Sequence, residues 1–353
     1  MPASLPPFTS TYTPDVPELL YKLKCTIALS TYQACKVIFL SAVSKDKLIQ
    51  LPRTFDNAMG IAQKDNKLAI ACKNEVIVLR NSPELAKHYP SKPGTYDALY
   101  LPRALYYTGQ LALHDMNYLN NKLIAINTLF SCISGIDEDY SFKSLWNPGF
   151  ISALVPEDRC HLNGMALAGE KIEFVTALGK TNIKQGWRKN KLSGGVLIHV
   201  PTGEIMFEGL SMPHSPRIYD NDLFFLQSAQ GELMKADLKT RQYEVITKLN
   251  TFVRGMAKAG DYLFIGASRL RHTTSVFADL PIAGSSFAGI IIVYLPLGKV
   301  VGHIRYETNV DEIYDVKIIP DFKRPNILNP EKKEHRIALV SETDTYWAKE
   351  NED

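Results

Sequence analysis

The sequence predicts an all-β protein, a single propeller of six blades. Three observations predict it. Helical periodicity is poor along most of the chain, short apolar runs alternate with polar turns, and a common pattern recurs about every 50 residues.

In chain order, "MPASLPPFTSTYTPDVPELL" (1–20) has neither the basic nor the apolar segment of a signal peptide, and its prolines predict an extended surface arm. "CTIALSTY", "KVIFLSAV" and "KLIQLPRTF" then read as three strands. Further short runs follow: "KLAIACKNEVIVLR", "KLIAINTLFSCISGI", "KIEFVTALG", "DLFFLQSAQGELMKADL", "YLFIGAS" and "GIIIVYLPLGKVVGHI". Five of them follow similar segments: "FDNAMGIAQKDNKL", "LALHDMNYLNNKL", "CHLNGMALAGEKI", "SMPHSPRIYDNDL" and "TFVRGMAKAGDYL". A sixth segment, "DEIYDVKIIP", aligns more loosely. The aligned residues are Met59, His114, Asn163, His214, Arg254 and Tyr314, with separations of 55, 49, 51, 40 and 60.

A period near 50 built from about four strands is the signature of propeller blades. The last repeat has too little strand sequence of its own before a charged tail at 341–353. The three N-terminal strands would complete that blade and remove the exposed edges, so the propeller is expected over 21–340. A seven-bladed ring and two packed sheets are the alternatives.

Composition narrows the function classes. A 45% apolar, 22% charged chain of 353 residues has globular character, and a formal charge of +3 without a basic aromatic patch does not indicate nucleic acid. No apolar run reaches the length of a membrane span. Cys25, Cys35, Cys72, Cys132 and Cys160 lack CxxC spacing and read as reduced thiols, with the cytoplasm as the expected compartment.

The first strand of each propeller blade lines the channel. Alternation along a strand adds the residues two earlier: Asn57, Ala112, His161, Met212, Phe252 and Glu312. Three histidines, His114, His161 and His214, thus fall at matching places on consecutive blades. His214 stands between Pro213 and Pro216, which stiffen the backbone and exclude a helix. Neutral imidazoles converging on an axis suit zinc, copper or iron, with Asp115, Asp311 or Asp315 behind them. The plainer reading is a polar channel with hydrogen-bonded structural histidines. Arg254 and Arg217 suit a carboxylate or phosphate, or an ion pair to Glu312 or Asp311. Tyr314 and Glu312 are candidates to move a proton, and Asn163 and Asn57 to contact substrate. His88, His199, His272, His303 and His335 do not share the register. Two long segments, 176–195 with Trp187 and 267–289, are candidate covers for the channel mouth, the first reading more simply as a solvated loop.

At "CHLNGMAL", "GLSMPHSPR", "FVRGMA" and "LALHDM…INTLFSCIS" the chain resembles a bacterial family of conserved proteins of unknown function, from about Ser30 to about Pro325. The resemblance implies a propeller-like fold and no established activity. "STYQACK" departs from it, with Cys35 where glycine is expected, which affects that turn. The inventory His114, His161, His214, Arg254 and Tyr314 is also similar to that of the peptide-amidating lyase, which holds zinc on three histidines beside an arginine and a tyrosine. More distantly, the expected architecture resembles six-bladed propellers of the NHL, strictosidine-synthase and lactonase types. Fold does not determine function, so no role is transferred.

Two functions follow as expectations. One is a metal-dependent lyase or hydrolase with a divalent transition metal, zinc foremost, on the three histidines. There Arg254 fixes an anionic group and Tyr314 or Glu312 moves a proton. The other is a non-catalytic propeller binding a protein or glycan. The ligand is then a small molecule, a peptide or a glycan, with no nucleic acid and no membrane span.

Overall fold

The structure, a computed structural model, describes residues 5–270, 280–282 and 287–349. The N-terminal segment is extended only in β1 (Ser10–Tyr12); helix α1 (Val16–Leu23) follows. Pro17 suits the first turn of α1, a Glu18–Lys22 pair spans one turn, and Lys24 closes the helix at φ +49°. Burial of Val16, Pro17 and Leu20 against the sheet decides for helix over the extended arm expected there.

The three N-terminal strands are β2 (Cys25–Thr31), β3 (Lys36–Ser44) and β4 (Lys47–Thr54). Four-stranded antiparallel sheets then follow, each running outward in chain order. The first holds β5 (Ile61–Lys64), β6 (Lys67–Ala71), β7 (Glu75–Asn81) and β8 (Ala98–Tyr107), with helix α2 (Pro83–Lys87) between the last two. The second holds β9 (Leu113–Leu119), β10 (Lys122–Asn127), β11 (Cys132–Gly135) and β12 (Lys143–Trp146). The third holds β13 (Leu162–Ala168), β14 (Lys171–Ala177), β15 (Gly195–His199) and β16 (Glu204–Leu210). The fourth holds β17 (Pro213–Tyr219), β18 (Asp222–Gln227), β19 (Glu232–Asp237) and β20 (Gln242–Lys248). The fifth holds β21 (Phe252–Ala259), β22 (Tyr262–Ser268), β23 (Ala288–Tyr294) and β24 (Lys299–Tyr306).

The sixth sheet closes the ring. Strand β25 (Val316–Pro320) pairs with β2, from Leu29 opposite Val316 to Cys25 opposite Pro320, and β3 and β4 complete the blade. The described residues therefore form six blades, closed between the two ends of the chain as the register argument expects.

Short additions cover outer edges: β1 pairs with β24, and β26 (Pro325–Ile327) lies parallel to β8. Helix α3 (Glu334–Ile337) and the hairpin of β27 (Ala338–Val340) and β28 (Thr345–Trp347) end the described chain. Residues 341–347 of the expected charged tail belong to this hairpin, and the Trp347 indole N–H donates to Leu85 O at 3.1 Å. No described helix is long and apolar enough to cross a membrane.

Local chemistry explains the inner hairpins. Asn120–Asn121 and Asp220–Asn221 are two-residue turns with both φ values positive, the geometry that matches strand twist. Hydroxyls on or just past second strands stitch four of the blades to the next. Thr128 donates to Leu162 O, Ser228 to Val253 O, Ser268 to Ile313 O and Ser30 to Met59 O. The residue after the aligned position also reaches across blades. Asp115 accepts from Met165 N at 3.0 Å, Ser215 from Gly255 N at 2.8 Å and Asp315 from Ile61 N at 2.9 Å. These bonds hold the inner strands at fixed angles around the channel, which is what positions the site.

Candidate functional site at the channel mouth

A cavity of about 550 Å³ opens at one mouth of the channel. Met59, His114, His214, Arg254 and Tyr314 line it, so five of six register positions reach it. Asn163 does not. Its amide donates to Pro213 O at 3.0 Å and accepts from Thr176 Oγ1 at 2.7 Å, in a cleft of about 10 Å³ shared with Arg217. Asn163, an expected substrate contact, thus links neighbouring blades.

Ala112, His161 and Met212 of the second set reach the cavity for a different reason than strand alternation. Asn57, Ala112, His161 and Met212 have φ of +45°, +53°, +52° and +50° and precede their strands in left-handed turns. The turn, not the pleat, swings His161 inward. Asn57, also expected to contact substrate, stays outside the lining and donates its amide to Tyr32 O at 3.1 Å.

The three histidines are oriented alike through Nδ1. His114 Nδ1 lies 3.0 Å from Ala112 O and 2.8 Å from Thr128 Oγ1. His214 repeats this with Met212 O at 2.9 Å and Ser228 Oγ at 2.9 Å. Both hydroxyl protons already go to the next blade, so each Nδ1 carries the hydrogen and donates it. His161 Nδ1 lies 3.0 Å from both oxygens of Asp158. Nε2 is the open nitrogen in all three, without a protein partner among the described residues.

Burial holds His114 well below the ordinary imidazole range, with His161 and Arg254 adding to the effect. Burial and Arg254 push His214 down to about 3. Both are neutral imidazoles at pH 7. The rings of His114 and His161 meet edge to face at 4.8 Å, while His214 faces Phe252 at 6.1 Å. Among the described residues, no group of three or more His, Cys, Asp or Glu side chains is arranged to hold a metal ion.

The expected proton-moving groups, Tyr314 and Glu312, both contact Arg254. Arg254 is ion-paired with Glu312, donates Nε–H to Ile313 O at 3.2 Å and lies 3.9 Å over the Tyr314 ring. Burial pushes the Tyr314 hydroxyl far above its ordinary range, so it stays protonated and serves as an aromatic wall. Glu312 is the counter-charge of Arg254.

Arg217, expected to bind substrate, lies outside the lining of this cavity, in the small cleft it shares with Asn163. It grips Asp115 with two bonds of 2.8 and 3.2 Å and donates to Met165 O. Lys317 lies 3.7 Å from Asp115 and 3.5 Å from Asp315, so two carboxylates and two cations share the channel interior. Asp115 and Asp315 therefore do not back the histidines, and Asp311 pairs with Arg269 at 3.1 Å. Asp158 takes that role for His161.

Sequence reasoning missed Asp158 and undervalued Trp187. Trp187 is 3% exposed in a short 3-10 turn (Gly186–Asn190), donates its indole N–H to Asp158 at 3.0 Å and faces the His161 ring at 4.4 Å. This part of 176–195 is cavity wall, not a solvated loop. The spacing "DRCH", an acid three residues before a histidine, was the available signal. Of the second candidate cover, Arg269 and Leu270 line the cavity, and 271–279 and 283–286, including His272, lie outside the described residues. His199 contacts Thr202 and Glu173, His303 contacts Thr13 and His335 contacts Lys332 O, and none of them, nor His88, lines the cavity.

No curated protein matches the sequence. Among solved structures, the fold is similar to a chain in the crystal structure of a nidogen/laminin complex, with a TM-score of 0.53 and 10% identity. That likeness covers 84% of this chain and 99% of the other, and at such identity it speaks for the fold alone. Residues 14–328, which hold all six blades and every cavity residue named above, match the family described as Domain of unknown function (DUF4915), and the chain belongs to that family.

Proposed function

We propose that the channel mouth is the active site of an enzyme of lyase or hydrolase type that takes a compact anion with an apolar body. The observation that supports this is the pairing of three open imidazole Nε2 atoms with a cationic wall. Lys73, Arg188, Arg254 and Arg269 line the cavity against one carboxylate, Glu312, a balance of four minus one, or +3. Glu312 is matched to Arg254 and Asp311 to Arg269, which leaves Lys73 and Arg188 to attract the ligand. Met59, Leu129, Leu178, Met212, Phe252 and Trp187 give the rest of the wall an apolar character. A cavity of about 550 Å³ is in the range of small-molecule sites.

Benzoate and its neutral isostere benzamide test the reading by calorimetry. Benzoate is expected to bind about tenfold more tightly, a difference of roughly 1.4 kcal/mol, and the pair Lys73→Ala/Arg188→Ala to erase the preference. Equal affinities would remove the anion reading. Binding of neither favours the non-catalytic propeller that docks a protein or glycan.

A metal-dependent form is a second reading, favoured by one observation. Each Nδ1–H is anchored on a carbonyl or carboxylate, the support that orients histidine ligands of metals. Zinc, copper or iron would then meet Nε2 of His114, His161 and His214, after the rings draw closer than they stand. This reading expects about one metal ion per chain in protein purified without a tag, lost in His214→Ala. Metal-free protein that takes up no zinc on dialysis would end it.

A further inference from the structure

We infer that the three histidines divide their work: His161, backed by Asp158, is the nucleophilic proton acceptor of the cavity, while His114 and His214 only bind. This rests on the reading of the cavity as an active site.

The inference comes from what stands behind each ring. His114 and His214 donate Nδ1–H to neutral oxygens, a backbone carbonyl and a hydroxyl. Neither oxygen carries a charge to balance an imidazolium. Their Nε2 atoms accept hydrogen bonds well and take up a proton poorly. His161 alone donates to a carboxylate, at 3.0 Å from each oxygen. The Asp158 charge balances the one His161 would gain, as in an aspartate–histidine pair of a hydrolase. Asp158 is itself fixed from a second side by the Trp187 indole N–H, and the Trp187 ring packs on His161. Asp158 and His161 both hold left-handed backbone, at φ +48° and +52°. These left-handed turns, which Asn57, Ala112 and Met212 share, here bring the aspartate and the imidazole toward each other.

In the step this pair serves, an acidic O–H or C–H of the ligand gives its proton to His161 Nε2. The bonding electrons stay on the ligand, and the proton later passes to the leaving group or to water. His161 is the catalytic residue and Asp158 its positioning residue.

Diethyl pyrocarbonate reads imidazole nucleophilicity without any substrate. On the full chain at neutral pH, peptide mass spectrometry is expected to show His161 modified at least about tenfold faster than His114 or His214. Access to the cavity contributes to that ratio, so Asp158→Asn is the deciding variant. Its amide still accepts from Nδ1–H but has no charge, and the His161 rate should fall by about tenfold while the other two rates hold. Asp158→Glu should restore part of the rate. Equal rates for the three histidines in the unaltered chain would overturn the inference even if Asp158→Asn failed to fold. An unchanged His161 rate in a folded Asp158→Asn would do the same. Protection of His161 by benzoate supports both this inference and the anion site. Selective, Asp158-dependent modification without protection supports the pair and removes the anion site.

Discussion

Deletion of residues 1–54 is expected to leave a chain with no cooperative unfolding transition. It removes β2, β3 and β4 and strands β25 without a partner, since β25 pairs with β2 in its blade. Six large side chains of the lost strands, Ile27, Leu29, Val37, Ile38, Phe39 and Leu40, are at most 1% exposed. At about 1.5–3 kcal/mol for each buried side chain, their loss rivals the whole stability of roughly 5–15 kcal/mol of a folded protein. The deletion also bares apolar residues of the neighbouring blade, where Ile290, Ile292 and Ile304 pack on this sheet. Circular dichroism and urea titration of the truncated chain check the result, and co-expression of residues 1–54 as a separate piece should recover soluble protein. A truncated chain that melts cooperatively would mean that five blades stand without the sixth.

The second large effect is expected from Asp115→Asn, at about 3–5 kcal/mol of stability in urea unfolding. Burial alone would raise the Asp115 carboxyl, but Arg217 and Lys317 outweigh it and hold the group below its usual range. The neighbouring Asp315 is raised by its own burial and by Asp115, against the pull of Lys317 and Arg217. Asp115 thus carries the nearer charge that makes a buried guanidinium tolerable, and the amide leaves Arg217 with only the more distant Asp315, at 3.8 Å. The bond from Met165 N also weakens, loosening the seam between the second and third blades. Arg217→Met in the same chain should cost less than the sum of the two single changes, because it removes the charge left unpaired. A loss under about 1 kcal/mol for Asp115→Asn would show that the cluster is solvated rather than structural.

What was legible in the sequence follows from the range of the physics that encodes it. Strand positions, two-residue turns such as Asn120–Asn121, and the common register are short-range properties of neighbouring residues. The register alone therefore placed His114, His214, Arg254 and Tyr314 around one channel, and the strands without a home at the N-terminus indicated how the ring closes. Side-chain partners were less legible. Arg254 had two readings of equal standing, and only the folded chain chose the Glu312 pair over a free anion site. Arg217 lies 102 residues from Asp115, a partner that nothing local announces.

The sequence by itself thus determined a β-propeller of six repeats and the residue types that face its axis, because alternation, turn chemistry and repeat spacing act within a blade. Only the tertiary structure decided which of those residues meet the cavity with open atoms. Trp187 packs on His161 from a segment that composition reads as solvent-exposed. Asp158 turns to His161 through two left-handed residues, and Asn163 and Arg217 are occupied by neighbouring blades. The reason is that hydrogen bonds and ion pairs are shared out across blade seams, and those seams exist only once the ring has closed.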